Sequence, residues 1–176
     1  MRIPLLLVMA FLVVSCGGGP EDTVTVYLKA HLGPEGPSGQ IAPVLTPVER
    51  DRRDAMSSAW QSILDIRVGP SPDERAHGFL DTIPPQTRLR HLVVAGGTAT
   101  VDLAGREPDF YGSAAVVYTL TELPGIDRVR LRLDGHACCF YGHDRRPIAT
   151  TTRDALNGWQ GQPCSLRSGD DVRCRK

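Results

Sequence analysis

β-Branched and aromatic residues alternate with polar ones in "TVTVYLK" (Thr23–Lys29), which predicts a strand. The segment after it, "AHLGPEGPSGQIAPVLTP", has no period and many Gly and Pro residues, which predicts a long loop. A helix is expected next. Thr46 can cap it, Pro47 suits its first position and Glu49 completes a Thr-x-x-Glu capping box. Val48, Ala55, Met56, Ala59, Trp60, Ile63 and Leu64 then recur at helical spacing, and "VGP" ends the run. Ser71, Pro72 and Glu74 repeat the capping grammar and predict a short second helix running towards Gly78.

Two hairpins follow. In the first, Leu92 and Val94 alternate on one arm and Val101 and Leu103 on the other, with Gly96–Gly97 as the turn. In the second, Val129, Leu131 and Leu133 face the core, Arg128, Arg130 and Arg132 face out, and Asp134–Gly135 forms a type I′ turn. The intervening "SAAVVYTLTELPG" fits a strand through Val116, Tyr118 and Leu120, and a helix through Val116, Leu120 and Leu123. Periodicity does not choose between them.

The N-terminus reads as a targeting signal. Arg2 precedes an apolar run from Ile3 to Val14, shorter than the roughly 20 residues a membrane span needs but suited to the core of a secretory signal. "VVSC" (Val13–Cys16) then resembles a bacterial lipobox, whose cysteine receives a diacylglycerol thioether and becomes the new N-terminus. Residues 1–15 are thus expected to be a lipoprotein signal peptide and residues 16–23 a lipidated Cys16 with a flexible tether. Two or three acyl chains anchor stably where one is marginal. The expected address is the outer face of the cytoplasmic membrane, with the membrane itself as one partner.

That address bears on "GHACCFYGH". Outside the cytoplasm an even set of cysteines points first to disulfides, here Cys138, Cys139, Cys164 and Cys174. Neighbouring strand residues point to opposite faces, so Cys138 should face the core and Cys139 the other side. Each is expected to join one of Cys164 and Cys174; Cys138–Cys164 with Cys139–Cys174 is favoured, with connectivity open. A zinc site of His136, Cys138, Cys139 and His143 lacks the Cys-x-x-Cys spacing of structural zinc. A thiol nucleophile would need a placed base and a third group to orient it. No nucleophile elbow, His-Glu-x-x-His pair or phosphate loop occurs, so no catalytic residue, metal ligand or cofactor is assigned. Charge is balanced, with 20 basic and 20 acidic residues, which gives no electrostatic case for nucleic acid.

The order of these pieces resembles one family. "GPSPDERAHGFLDTIPPQTRLRHLVVAGGTATVDLAG" and "VVYTLTELPGIDRVRLRLDG" are similar to a GerMN domain, the module named for the spore-germination protein GerM. The matching positions are Gly69–Pro70, Pro84–Pro85, Gly96–Gly97 leading into Val101–Asp102–Leu103, and the block from Tyr118–Thr121 to Asp134–Gly135. The resemblance implies an α+β fold, with two main helices on one face of a small mixed sheet of about five strands, similar to ring-building modules. It also implies that Ser113–Leu123 is a helix. The domain is expected over residues 24–142 and a disulfide-linked tail over 143–176, with Trp159 packed down on the sheet. These readings point to a non-enzymatic module that docks envelope proteins, with self-association compatible and sporulation or germination as the family context. The open rim would comprise Arg128, Arg130 and Arg132, the His31–Pro47 loop and any free sheet edge. A cell-wall-acting enzyme and a small-molecule or metal-binding lipoprotein are the alternatives.

Overall fold

The structure is a computed structural model that describes residues 22–32, 41, 43–140, 147–156, 164–167 and 171–174, the last two segments as backbone. Strand β1 (Thr23–Ala30) pairs antiparallel with β2 (Val44–Asp51), from Thr23 opposite Asp51 to Ala30 opposite Val44. Helices α1 (Ser58–Val68) and α2 (Pro72–Ala76) follow, and β3 (Phe79–Leu80) adds to the far side of β1, giving the order β2-β1-β3. A second sheet has the order β4-β5-β6-β7, from β4 (Arg88–Ala95), β5 (Thr98–Ala104), β6 (Arg128–Leu133) and β7 (His136–Ala137). Its β5 and β6 are parallel, and helix α3 (Phe110–Leu120) makes the crossover between them. Short α4 (Arg153–Leu156) and the hairpin of β8 (Cys164–Arg167) and β9 (Asp171–Cys174) complete the elements.

The α+β class holds, with two main helices, α1 and α3. Strands β1 to β7 divide into a three-stranded and a four-stranded sheet, with β8 and β9 as a separate pair, where one sheet of about five was expected. Helix α3 lies at the centre. It packs on β1, β6 and α1, and every residue from Gly112 to Leu120 is buried. A helix apolar all round belongs in an interior, which explains why period alone could not distinguish it from a strand. Its start is fixed by Asp109, whose Oδ1 accepts from the Gly112 N–H at 2.7 Å.

The expected helix at Thr46 is a strand. Residues 44–51 pair along the whole of β1, and the helix begins only at Ser58, capped by Ser57. The Gly/Pro-rich loop is correspondingly shorter. Pro47 is tolerated because β2 is the outer strand on this side of β1. Opposite it, the Tyr27 N–H points away from β2 and donates to Thr119 Oγ1 at 2.8 Å. The Tyr27–Pro47 pair is therefore the non-hydrogen-bonded kind, where no proline N–H is needed. A buried network then fixes the β2–α1 turn. Gln61 donates to Asp51 O at 2.6 Å and accepts from the Arg53 N–H at 2.7 Å, and the Arg53 guanidinium pairs with buried Asp65.

The second capping motif folds as read. Ser71 accepts from the Glu74 N–H at 3.2 Å, and Glu74 accepts from the Ser71 N–H at 2.7 Å. Glu74 also takes a two-pronged pair from Arg50, at 2.7 and 2.8 Å, tying α2 to β2. Burial alone would raise its pKa, but the bonds from Arg50 and Ser71 outweigh it and hold the carboxyl below its ordinary value.

Both hairpins form with the turns expected. Gly96 and Gly97 have φ of 54° and 72°, and Asp134 and Gly135 have φ of 50° and 83°. On β4 only Leu92 is buried, and Val94, which shares its side of the strand, is exposed. The tail takes a different course from the one expected. Thr151 exchanges two backbone hydrogen bonds of 2.8 Å with Val129 on β6, and α4 packs against α3 on the helix side. The outer face of the second sheet is not covered by the described part of the tail; Trp159 lies outside the described residues.

Candidate interaction surface

Alternation along β5 and β6 sorts the second sheet into two faces. Ala99, Val101, Leu103, Val129 and Leu131 are buried on the inner one. On the outer face the parallel register sets Thr98 beside Arg128, Thr100 beside Arg130 and Asp102 beside Arg132. The antiparallel register then adds Ala95, Val93 and His91 of β4 to the same three rows. Arg128, Arg130 and Arg132 are all exposed. Among the described residues none of them makes an ion pair or a side-chain hydrogen bond.

The acidic groups nearby are engaged elsewhere. Asp102 accepts from the Gly135 N–H at 2.9 Å and lies 3.7 Å from Arg90, which is also 3.7 Å from Asp134. The face therefore carries an uncompensated row of guanidinium groups. Each presents a planar fork suited to carboxylate or phosphate.

The row runs out to an open edge. Strand β4 is the last strand of its sheet, and among the described residues nothing pairs with its outer side. Val93, in the arginine rows, is 42% exposed, and Val94, on the opposite face of the same edge strand, is 46% exposed. This edge of eight residues, irregular between Leu89 and His91, has no strand partner on its outer side among the described residues and is a template for another strand. The β2 edge of the other sheet differs, since β8 lies against it.

The cysteines are arranged otherwise than expected. Cys138 and Cys139 are bonded to each other, so neither reaches the tail. The strand alternation that was to separate them is broken at Cys139, whose φ of 77° turns the chain so that both side chains are buried. The backbone sets Cys164 opposite Cys174 across β8 and β9. The zinc set is not assembled either. His136 is exposed and absent from the group of donors that converge at the cysteines, and His143 lies outside the described residues, as does Cys16. Cysteines joined in a disulfide offer no thiol nucleophile.

One polar cluster was invisible in the sequence. The Arg153 guanidinium lies over the rings of Tyr27 and Tyr118, 5.3 and 4.9 Å from their centroids. It donates to Glu122 at 2.5 Å, and Tyr27 donates to the same carboxylate at 2.6 Å. This cluster pins α4 to the core and lies away from the arginine face.

A family model described as Germane, sporulation and spore germination, matches residues 22–138. The fold is similar to the tandem GerMN domains of the sporulation protein GerM from Bacillus subtilis, with 18% identity, 80% of this chain covered and a TM-score of 0.60. The chain spans 49% of the length of that tandem-domain chain. The first GerMN domain of the same protein matches with 22% identity over 75% of this chain and 98% of its own, with a TM-score of 0.52. No curated protein matches the chain. Among the described residues no helix is long and apolar enough to cross a membrane. With the family model covering most of the chain and the fold agreeing, the protein belongs to the Germane family, the GerMN domain that its sequence resembles.

Proposed function

We propose that the protein is a non-enzymatic, lipid-anchored module that docks other proteins at the outer face of the cytoplasmic membrane. The observation that carries this reading is the outer face of the second sheet, where, among the described residues, Arg128, Arg130 and Arg132 stand unpaired beside the open β4 edge. A partner offering an extended, acidic segment meets both features at once. Backbone bonds to β4 supply affinity, and carboxylates over the arginine row set register. The solved relatives are domains of a sporulation protein, and this reading takes their shared fold as its scaffold.

Cys16 is the proposed anchor, after the leader of residues 1–15, with the domain over 24–142 and the tail over 143–176. Cys164 and Cys174, opposite each other in the tail hairpin, are proposed to form their own disulfide. Cys16→Ala should release the protein from the membrane fraction or leave its leader uncleaved; unchanged processing and retention would refute the anchor.

The docking surface is tested by Arg130→Glu with Arg132→Glu in the full-length lipidated protein. Recovery of crosslinked envelope partners should fall sharply, with the melting transition within about 0.5 kcal/mol of wild type, as befits exposed unpaired charges. Undiminished partner recovery would place the interface elsewhere.

A further inference from the structure

The cysteine pair is not isolated. Cys139 and Phe140 line a cleft of about 360 Å³ together with Phe110, Ile148, Leu156 and Glu107. One donor atom each from Glu107, Cys138 and Cys139 lies within 4.8 Å of the others. Both cysteines are buried and Glu107 is exposed, so the group has a dry sulfur side and a wet carboxylate side. The left-handed turn at Cys139 makes this convergence, because regular strand geometry would send the two side chains apart. Glu107 comes from the loop ahead of α3 and the cysteines from the chain leaving β7, so the site joins two segments distant in sequence.

We propose that Cys138, Cys139 and Glu107 form a redox-gated site for a thiophilic divalent cation, closed as the disulfide and opened by a dithiol reductant. A thiolate of the reductant attacks one sulfur, the Cys138–Cys139 bond breaks, and a mixed disulfide forms. The second thiol of the reductant then displaces the protein sulfur and closes the reductant's own disulfide ring. Two electrons and two protons have passed to the cysteines, which are now two thiols. The cation displaces both thiol protons, and two thiolates and the Glu107 carboxylate become its ligands. Zinc–sulfur bonds of about 2.3 Å need the sulfurs to separate beyond bonding distance yet stay neighbours, as adjacent buried residues do. Sulfur donors select soft ions such as Zn²⁺ and Cd²⁺ over Mg²⁺ and Ca²⁺. The site lies apart from the arginine face and is independent of its docking role.

Cd²⁺ titration of the full chain in detergent tests this, with Cys16→Ala, Cys164→Ser and Cys174→Ser leaving only the adjacent pair reducible. The oxidised protein should bind no Cd²⁺. After dithiothreitol treatment and its removal without air, one Cd²⁺ per chain should bind, with the ultraviolet charge-transfer band of cadmium thiolate. Cys138→Ala or Cys139→Ala should abolish the band, and Glu107→Gln should weaken binding by about tenfold or more. Circular dichroism reports whether each variant is folded. If a cysteine variant is not, the oxidised and reduced parent proteins still decide. Equal binding by the two forms, no binding after confirmed reduction, or a band that survives in a folded Cys138→Ala or Cys139→Ala variant overturns the proposal.

Discussion

Arg153, Tyr27, Tyr118 and Glu122 show what a single residue's surroundings can do. Burial first, and then the hydrogen bond to Glu122, push the Tyr27 hydroxyl from 10.0 up to about 12, and burial raises Tyr118 as well. Folding thus favours the neutral phenol. The contribution to stability is complete below about pH 10 and is lost as pH rises through about 12. Melting temperature followed against pH should fall over that window, and Tyr27→Phe should remove much of the fall; a phenol at position 27 that ionises at its ordinary value would contradict the geometry. Arg153→Ala removes two ring contacts and an ion pair, and should cost about 1–2 kcal/mol in chemical denaturation. None of this was legible beforehand, since the partners lie on β1, α3, the turn after it and α4. The disulfide was hidden differently. Alternation argued for separate faces, and only the φ of Cys139 undoes it. Non-reducing peptide mapping should return Cys138 linked to Cys139, and a bridge from either to Cys164 or Cys174 would refute the arrangement described here.

The capping motifs show why one element was legible and another was not. Ser71-Pro72-x-Glu74 and Thr46-Pro47-x-Glu49 carry the same local instructions, yet the first opens a helix and the second lies in a strand. The first motif satisfies its own backbone groups and needs only Arg50 to dock it. At the second, eight residue pairs along β1 outweigh the local preference, and tertiary pairing of that kind leaves no trace in a short window. Ser71→Ala should therefore cost about 1 kcal/mol of stability. For α3 the decisive element contact is steric. A Cβ on Gly112 would stand 2.5 Å from Thr82 O and 3.0 Å from Pro108 Cβ, so this turn of helix must lie flush against the chain after β3. Gly112→Ala should destabilise by about 1–3 kcal/mol. A melting temperature unchanged in that variant would show that the helix start is not packed as described.

Across the whole molecule, alternation was the most faithful guide. The arginine and valine–leucine rows of β6 stand on the faces their spacing predicts, and both glycine-bearing turns close where expected. The order of motifs also carried the family resemblance, which settled α3 as a helix although its own pattern did not. What the sequence did not show is that the strands divide into two sheets, and that β4 ends as an open edge while the tail returns to β6 and α3. Those features depend on which strand finds which neighbour. Among the described residues they also leave the arginine face uncovered, and the proposed docking rests on that face. Site-specific photo-crosslinking in cells tests it most directly, with a photoreactive residue placed in turn at Val93, Arg130 and, as a control on the helix side, Asp73. Partner adducts are expected from positions 93 and 130 and none from 73; adducts from position 73 alone, or from none of the three, would contradict docking at the arginine face.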